Sequence, residues 1–160
     1  MTRVTFARLL PAAILALAPT SLVGYGTPEV PTYPADGEVV YADTGELVPG
    51  SLTVWFESTT APFQRSSGVV KDGKFYLSTT RDGNGSIAGE HRVRFDPFVP
   101  NGGAIDNPEA ALARVMNPKH LEFRTSGITV TVDPVPGNTF KIKVEPPAGG
   151  RKKVKDKAAN

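Results

Sequence analysis

The chain has 160 residues, of which 39% are hydrophobic and 21% charged, a composition that favours a folded domain over a disordered chain. It contains no cysteine, which excludes disulfides, thiolate zinc sites and a cysteine nucleophile. Residues 1–24 carry two basic and no acidic side chains, and residues 151–160 carry five basic and one acidic, which leaves about −4 for the remainder and argues against a basic nucleic-acid-binding face.

Residues 1–24 have the organisation of a secretory signal peptide. Arg3 and Arg8 form a positive N-terminal region, and residues 9–18 form an apolar run that is too short to span a bilayer. The alternative is a buried N-terminal helix, but Pro11 and Pro19 interrupt the run. We therefore predict an exported protein that is periplasmic, on the cell surface or secreted.

The segments on either side of the central region are predicted to lie outside the domain. Residues 25–35 contain spaced prolines and are predicted to form an extended linker. Residues 147–160 have few apolar side chains and are predicted to form a disordered basic tail, either simply solvated or in contact with anionic lipid or polymer. Membrane association is expected only through this tail or an uncleaved signal. Residues 36–146 then form a single domain.

Between residues 36 and 145, apolar side chains recur at every second position, which is typical of strands with one buried face. Glycine, proline, aspartate or asparagine bounds each segment. Because no helical segments alternate with them, they predict an all-β fold, a seven-stranded antiparallel β-sandwich. The predicted strands are at residues 39–41, 52–56, 68–71, 75–77, 93–95, 128–132 and 140–144.

Three short segments carry turn chemistry. Asp72 and Gly73 stand between two predicted strands and indicate a type I′ hairpin, in which both central residues have positive φ. Residues 136–138 (Pro-Gly-Asn) indicate a turn between the last two strands. Residues 82–85 (Asp-Gly-Asn-Gly) resemble the start of a calcium loop but lack the acidic residue that closes one, so a tight polar turn is favoured.

One short helix is predicted, at residues 108–116. Asn107 is suited to be its N-cap and Pro108 its first residue. The helix lies in a long excursion, residues 97–124, between the fifth and sixth predicted strands. Connections of this length in compact domains are usually functional or mobile.

Five motifs follow one another along residues 35–145: GEVVY (37–41), PGSLTVWF (49–56), GKFYLST (73–79), GEHRV (89–93) and TSGITV (125–130). Their order and spacing resemble the carboxypeptidase regulatory-like, transthyretin-like β-sandwich domains, as in predicted envelope lipoproteins of planctomycete-type bacteria. The resemblance implies a prealbumin-like sandwich of Ig-like architecture, an envelope location and no known catalytic activity. Tyr25 stands where those lipoproteins have the lipidated cysteine, and His91 stands where an inward aromatic is expected.

Only two side chains are suited to act as bases at neutral pH, His91 and His120, and neither has a carboxylate at a recognisable spacing. The strand pattern predicts that His91 is a core histidine, and His120 is predicted to lie on the surface. No glycine-rich phosphate loop or G-x-S-x-G motif is present. We therefore predict no catalytic residues, no metal site and no cofactor.

Two aromatic side chains, Trp55 and Tyr76, alternate with the predicted inward-facing residues of their strands, so they are predicted to point outward and are candidate ligand contacts. The leading interpretation is a non-catalytic exported envelope protein that acts as a binding or structural module, with an envelope protein or polysaccharide as partner. One alternative is homomeric assembly or adhesion through strand edges. Another is a hydrolase-like enzyme that uses His91 and His120.

Overall fold

The computed structural model describes residues 30–100 and 103–149. The predicted signal peptide and residues 150–160 of the predicted tail lie outside the described residues. Strand β1 and the start of β2 fall within residues 25–35, where the sequence suggested a linker. The strands are β1 (Thr32–Tyr33), β2 (Ala35–Tyr41), β3 (Ser51–Ser58), β4 (Arg65–Lys71), β5 (Lys74–Tyr76), β6 (Ser86–Ile87), β7 (Gly89–Pro97), β8 (Ile128–Val132) and β9 (Asn138–Val144).

Seven of these strands form one mixed sheet in the order β8-β7-β3-β4-β5-β2-β9, and β1 pairs separately with β6. Neighbours in the large sheet are antiparallel except β2 and β9, which are parallel, with Ala35 opposite Asn138 and Tyr41 opposite Val144. The end strands β8 and β9 approach each other, so the sheet is nearly closed. The prediction of a mostly β domain built on these seven strands is confirmed, but the sheet is not a simple antiparallel sandwich.

The parallel pair begins at the turn that follows β8. Residues 136–138 join β8 to β9 along the chain, but the two strands do not form a hairpin. The Asn138 side chain accepts a hydrogen bond from the Asp133 backbone N–H at 2.8 Å and donates to the Asp133 carbonyl at 3.1 Å. The Asn138 backbone N–H donates to the Pro34 carbonyl at 3.0 Å. These bonds hold the start of β9 beside the start of β2, where the parallel register begins.

Asp72 and Gly73 form the predicted tight hairpin between β4 and β5. Their φ angles are 48° and 78°, both positive as a type I′ turn requires. A Cβ at position 73 would lie 2.8 Å from the Leu47 Cβ, so the turn has room only for glycine there. Lys71 and Lys74 pair across the turn, which fixes the side-chain faces of β4 and β5.

Alternate strand residues are buried in one core, as the period of two predicts. In β3, Leu52, Val54 and Phe56 are at most 2% exposed, while Trp55 lies on the opposite side of the strand. Burying each large apolar side chain contributes about 1.5–3 kcal/mol to stability. We call the side of the sheet that carries Trp55 the outer face.

The described part of the excursion after β7 contains α1 (Pro108–Leu112), a 3-10 helix (Pro118–Leu121) and α2 (Phe123–Ser126) rather than the single predicted helix. The Asn107 cap is confirmed, because its side-chain oxygen accepts from the Ala110 N–H at 2.8 Å. The prediction that the helix continues to residue 116 is wrong. The helix ends at Leu112 with Ala113 as its C-cap, and Asn117, which precedes a proline, is extended (ψ 126°).

The excursion completes the core where β8 ends. Strand β8 pairs with β7 only from Gly89 to Val93, and the helical segments contact β7. Leu112 and Met116 are fully buried in the main core. The Tyr41 hydroxyl donates to an excursion carbonyl at 2.8 Å, which fastens the excursion to β2. No helix within residues 30–100 and 103–149 has the length and hydrophobicity of a membrane span.

Candidate functional site

His91 is fully buried, as its strand parity predicts. Its Nδ1 lies 2.9 Å from the Gly89 carbonyl, which can only accept, so Nδ1 carries the proton. Nε2 then accepts from the Ser86 hydroxyl at 3.1 Å, and Ser86 accepts from the Ser66 hydroxyl at 2.8 Å. Burial lowers the pKa of His91, only partly offset by the bond to Gly89. His91 is therefore a neutral core histidine whose polar atoms are satisfied below the surface.

His120 is 1% exposed, so the prediction of a surface residue is wrong. The 3-10 helix turns its ring inward against Phe95, with ring centroids 6.5 Å apart. Nε2 lies 2.5 Å from a Glu145 carboxylate oxygen, and Nδ1 lies 3.3 Å from the Ser126 hydroxyl. Burial lowers the pKa of His120, and the nearby Glu145 carboxylate only partly opposes this. The Glu145 backbone N–H also donates to His120 Nε2, at 3.3 Å, so both the backbone and the side chain of Glu145 contact this nitrogen.

Glu145 follows β9 directly and also pairs with Lys119 at 2.5 Å. Burial raises the pKa of Glu145, but Lys119 and His120 outweigh that effect and leave it below its ordinary value. His120 and Ser126 are at most 2% exposed. The Ser126, His120 and Glu145 side chains thus form a contact that fastens the excursion to β9, with no room for a substrate at the serine.

The two histidines lie at different levels of the core. His91 packs against Phe56 (ring centroids 6.1 Å apart), whereas His120 packs against Phe95. His91 and Phe95 are four residues apart along β7, which separates their Cα atoms by about 13 Å. Among residues 30–100 and 103–149, no three histidine, aspartate or glutamate side chains are grouped so that they could hold a metal ion.

Residues 82–85 form a tight polar turn that uses its own side chains. The Asn84 side chain accepts from the Thr79 N–H at 2.7 Å, and the Gly83 N–H donates to the Ser78 hydroxyl at 2.8 Å. Gly85 has φ of 79° and lies so close to the Tyr33 carbonyl that no side chain fits there. The oxygen atoms of this segment therefore hold the turn together.

Trp55 lies on the outer face but is covered by neighbouring side chains. Arg94 is its cross-strand partner, and the Arg94 guanidinium lies 5.5 Å from the Trp55 ring and 5.2 Å from the Phe123 ring. Arg94 also donates to Asp96 at 2.5 Å and to the Leu121 carbonyl at 3.2 Å. The Trp55 ring is half-buried, and its Nε1 is buried without a hydrogen-bond partner in the described structure.

Glu57 lies beside Trp55 on the same face and pairs with two arginines. Its oxygens are 2.6 Å from the Arg65 guanidinium and 2.7 Å from that of Arg92. Burial raises the pKa of Glu57, but the two guanidinium groups outweigh it and leave the pKa below 4.5. We call this region, where cations and aromatic rings contact one another, the Trp55 half of the outer face; it comprises Trp55, Glu57, Arg65, Arg92 and Arg94.

Tyr76 lies on the other half of the outer face and is 59% exposed. Asp36 is its partner on β2. The Lys71–Lys74 and Ser67–Ser78 pairings bracket Val69 and Tyr76, so Val69, which is 47% exposed, faces Tyr76 on β4. Beside them is an open depression of about 530 Å³ whose lining includes Asp36, Glu38, Lys74, Thr139 and Lys141. We call Asp36, Glu38, Val69, Tyr76 and Thr139 the Tyr76 half.

The structure places both predicted contact residues on one face but in different surroundings. The sequence pattern identified Tyr76 as outward, yet it missed Asp36, Glu38 and Thr139. Their outward parity was visible in the sequence. Their position beside Tyr76 depends on pairing between β5, β2 and β9, which are distant in the chain.

No family model matches the sequence, and no curated protein or solved structure matches it either.

Proposed function

We propose that the protein is an exported, non-catalytic binding module of the cell envelope that binds a polysaccharide through the Tyr76 half of its outer face. The observation that carries the proposal is the 59% exposed Tyr76 ring on an open sheet face, beside a depression of about 530 Å³ with carboxylate, ammonium and hydroxyl groups in its lining. The signal-like residues 1–24 support the exported part of the proposal.

The chemistry of this half suits a sugar polymer. The apolar face of a sugar ring can stack on the apolar face of an exposed aromatic ring. Asp36 and Glu38 accept hydrogen bonds from sugar hydroxyls, and Thr139 both donates and accepts. These side chains stand on paired strands, so little backbone order is lost when a ligand binds.

The placement of the two histidines supports the non-catalytic part of the proposal. His91 and His120 are at most 1% exposed, and each is engaged with its own neighbours in a different part of the core. A hydrolase-like reaction that uses both would need them to share a cleft. The resemblance to carboxypeptidase regulatory-like, transthyretin-like sandwich domains is part of the same proposal, and it rests on the five sequence motifs of residues 35–145.

A binding assay with a matched aromatic control tests the proposal. The full exported protein is incubated with insoluble envelope polysaccharide, and the free fraction is measured over a range of polymer concentrations. Tyr76→Ala should weaken binding about two- to tenfold, since stacking on one aromatic ring contributes about 0.5–1.5 kcal/mol. Phe63→Ala removes another exposed aromatic, 67% exposed, in the loop between β3 and β4 and should bind like wild type. Equal affinities for all three proteins, or no binding, would refute the proposal.

A second candidate, homomeric assembly, is favoured by the edges of the large sheet. Strands β8 and β9 are terminal in the strand order, so each has one unpaired edge in the described structure. Such edges pair with other chains unless they are protected. Light scattering over a dilution series tests it: assembly requires a mass that falls with dilution, and a constant monomer mass excludes it.

A further inference from the structure

We infer that the ligand is an acidic polysaccharide, one chain of which lies across the strands along a row of lysines. This inference rests on the proposed function and names the ligand class. Strand pairing places Lys71 opposite Lys74, Lys74 opposite Glu38, and Glu38 opposite Lys141. These residues form one row across β4, β5, β2 and β9 on the outer face. We call them the lysine row.

The geometry of the row suits an extended polymer. Neighbouring strands are about 4.8 Å apart, so charged groups recur at that interval over about 14 Å. This interval is close to the length of one sugar ring along an extended chain. The adjacent row contains Val69, Tyr76, Asp36 and Thr139, so a polymer along the lysine row passes beside the exposed Tyr76 ring.

The charge of the row is not neutralised within the described structure. All three lysines are exposed, and none has an ion pair there, with Glu38 or with any other residue. Three ammonium groups beside one carboxylate leave an excess of positive charge. Lysines often protect free strand edges, but Lys71 and Lys74 lie on internal strands, where no edge needs protection. Edge protection therefore does not account for Lys71 and Lys74.

The carboxylates among the lysines favour a polysaccharide over an anionic membrane. Glu38 lies between Lys74 and Lys141, Asp36 lies in the adjacent row, and both carboxylates would repel a continuous anionic surface. A polysaccharide has hydroxyl donors for these carboxylates as well as acidic groups for the lysines. Alternating donors and anions on one chain therefore complement the whole surface.

The test compares acidic polymers with uncharged forms of the same backbone. The full chain is titrated with polygalacturonate and its methyl ester, alginate and its propylene glycol ester, and dextran sulfate and dextran. The variant Lys74→Ala/Lys141→Ala removes two charges from the row. The control Arg114→Ala/Arg124→Ala removes two exposed charges from the excursion, so the net charge of the two variants is equal. Both retain residues 150–160.

We expect at least one acidic polymer to bind more tightly than its uncharged form, and added salt to reduce the difference. Lys74→Ala/Lys141→Ala should lower the affinity about tenfold, and Arg114→Ala/Arg124→Ala less than twofold. Equal loss in both variants would show a non-specific charge effect and overturn the inference. So would tighter binding to vesicles with 30% phosphatidylserine than to any acidic polymer.

The two proposals fail in different ways. If Tyr76→Ala weakens binding of charged and uncharged polymers alike, and the lysine variant changes neither, the acidic ligand is refuted and the proposed function stands. If Tyr76→Ala has no effect on any polymer, the proposed function itself fails.

Discussion

The Trp55 half and the Tyr76 half of the outer face belong to one sheet but use similar side chains differently. In the Trp55 half, Arg94 stacks on two aromatic rings and Glu57 holds two arginines, so its charges and rings are engaged within the protein. In the Tyr76 half, the aromatic ring is exposed and the neighbouring lysines have no ion pair in the described structure. The first half therefore contributes to stability, and the second is available for a ligand.

The largest expected effect is on stability, from Trp55→Ala. The ring is half-buried and carries the Arg94 contact, so its loss should lower the free energy of unfolding by about 2 kcal/mol. Urea unfolding followed by circular dichroism measures this. Polymer affinity of the folded variant should not change. A stability loss below about 0.5 kcal/mol together with weaker binding would reverse the roles of the two halves.

A smaller loss is expected from Glu57→Gln. The carboxylate pairs with Arg65 and Arg92, which are 59% and 47% exposed, so solvent screening limits the effect to about 0.5–1 kcal/mol. Because the folded pKa of Glu57 is lowered, its contribution is present above pH 4.5 and is lost as the pH falls through the folded pKa. The difference between wild type and variant should therefore vanish in acid. A constant difference from pH 7 to pH 3 would contradict the ion pairs.

Mild acid should lower the free energy of unfolding in a graded way, through His120. The pKa of His120 is lower in the folded protein than its ordinary value of 6.5, so the unfolded chain takes up the proton first. The contribution of neutral His120 to stability is complete above pH 6.5 and declines as the pH falls through the folded pKa. The pKa of His91 is lowered as well, so His120→Gln should reduce the dependence of stability on pH without abolishing it. Stability that rises from pH 7 to pH 5.5 would contradict both assignments.

The smallest effect on stability is expected in the Tyr76 half. Tyr76→Ala removes a side chain that is 59% exposed, so the free energy of unfolding should change by less than about 0.5 kcal/mol. Tyr76→Phe keeps the ring and should retain polymer binding. A thermal melt and a binding curve on each variant separate the two properties. A loss of stability as large as that of Trp55→Ala would mean that Tyr76 is structural.

Much of the fold was predictable because the alternation of apolar and polar residues that indicates a strand lies within the strand's own sequence. The alternation in β3 and the Asp72-Gly73 turn contain the information for burial and for a tight hairpin. The parallel pairing of β2 and β9 was not predictable, because it depends on bonds from Asn138 to Pro34, which is distant in the sequence. A turn between consecutive strands does not say whether they become neighbours.

The histidines show the same limit at the level of single residues. His91 was predicted to be buried because its strand has a period of two. His120 lies in a non-periodic excursion, and its burial comes from packing against Phe95 and Glu145. Likewise, the outward direction of Tyr76 was predictable, but the lysine row appears only when strands from distant parts of the chain are aligned.

The most direct test of the account is an NMR titration of the ¹⁵N-labelled chain with an acidic polysaccharide, with every assigned amide followed. The account requires shifts concentrated at Asp36, Lys74, Tyr76 and Thr139 on β2, β5 and β9. The chemical shifts of the amides in the Trp55 half should not change. Shifts centred on Trp55 and Arg94, or spread evenly over basic residues of the whole chain, would contradict it.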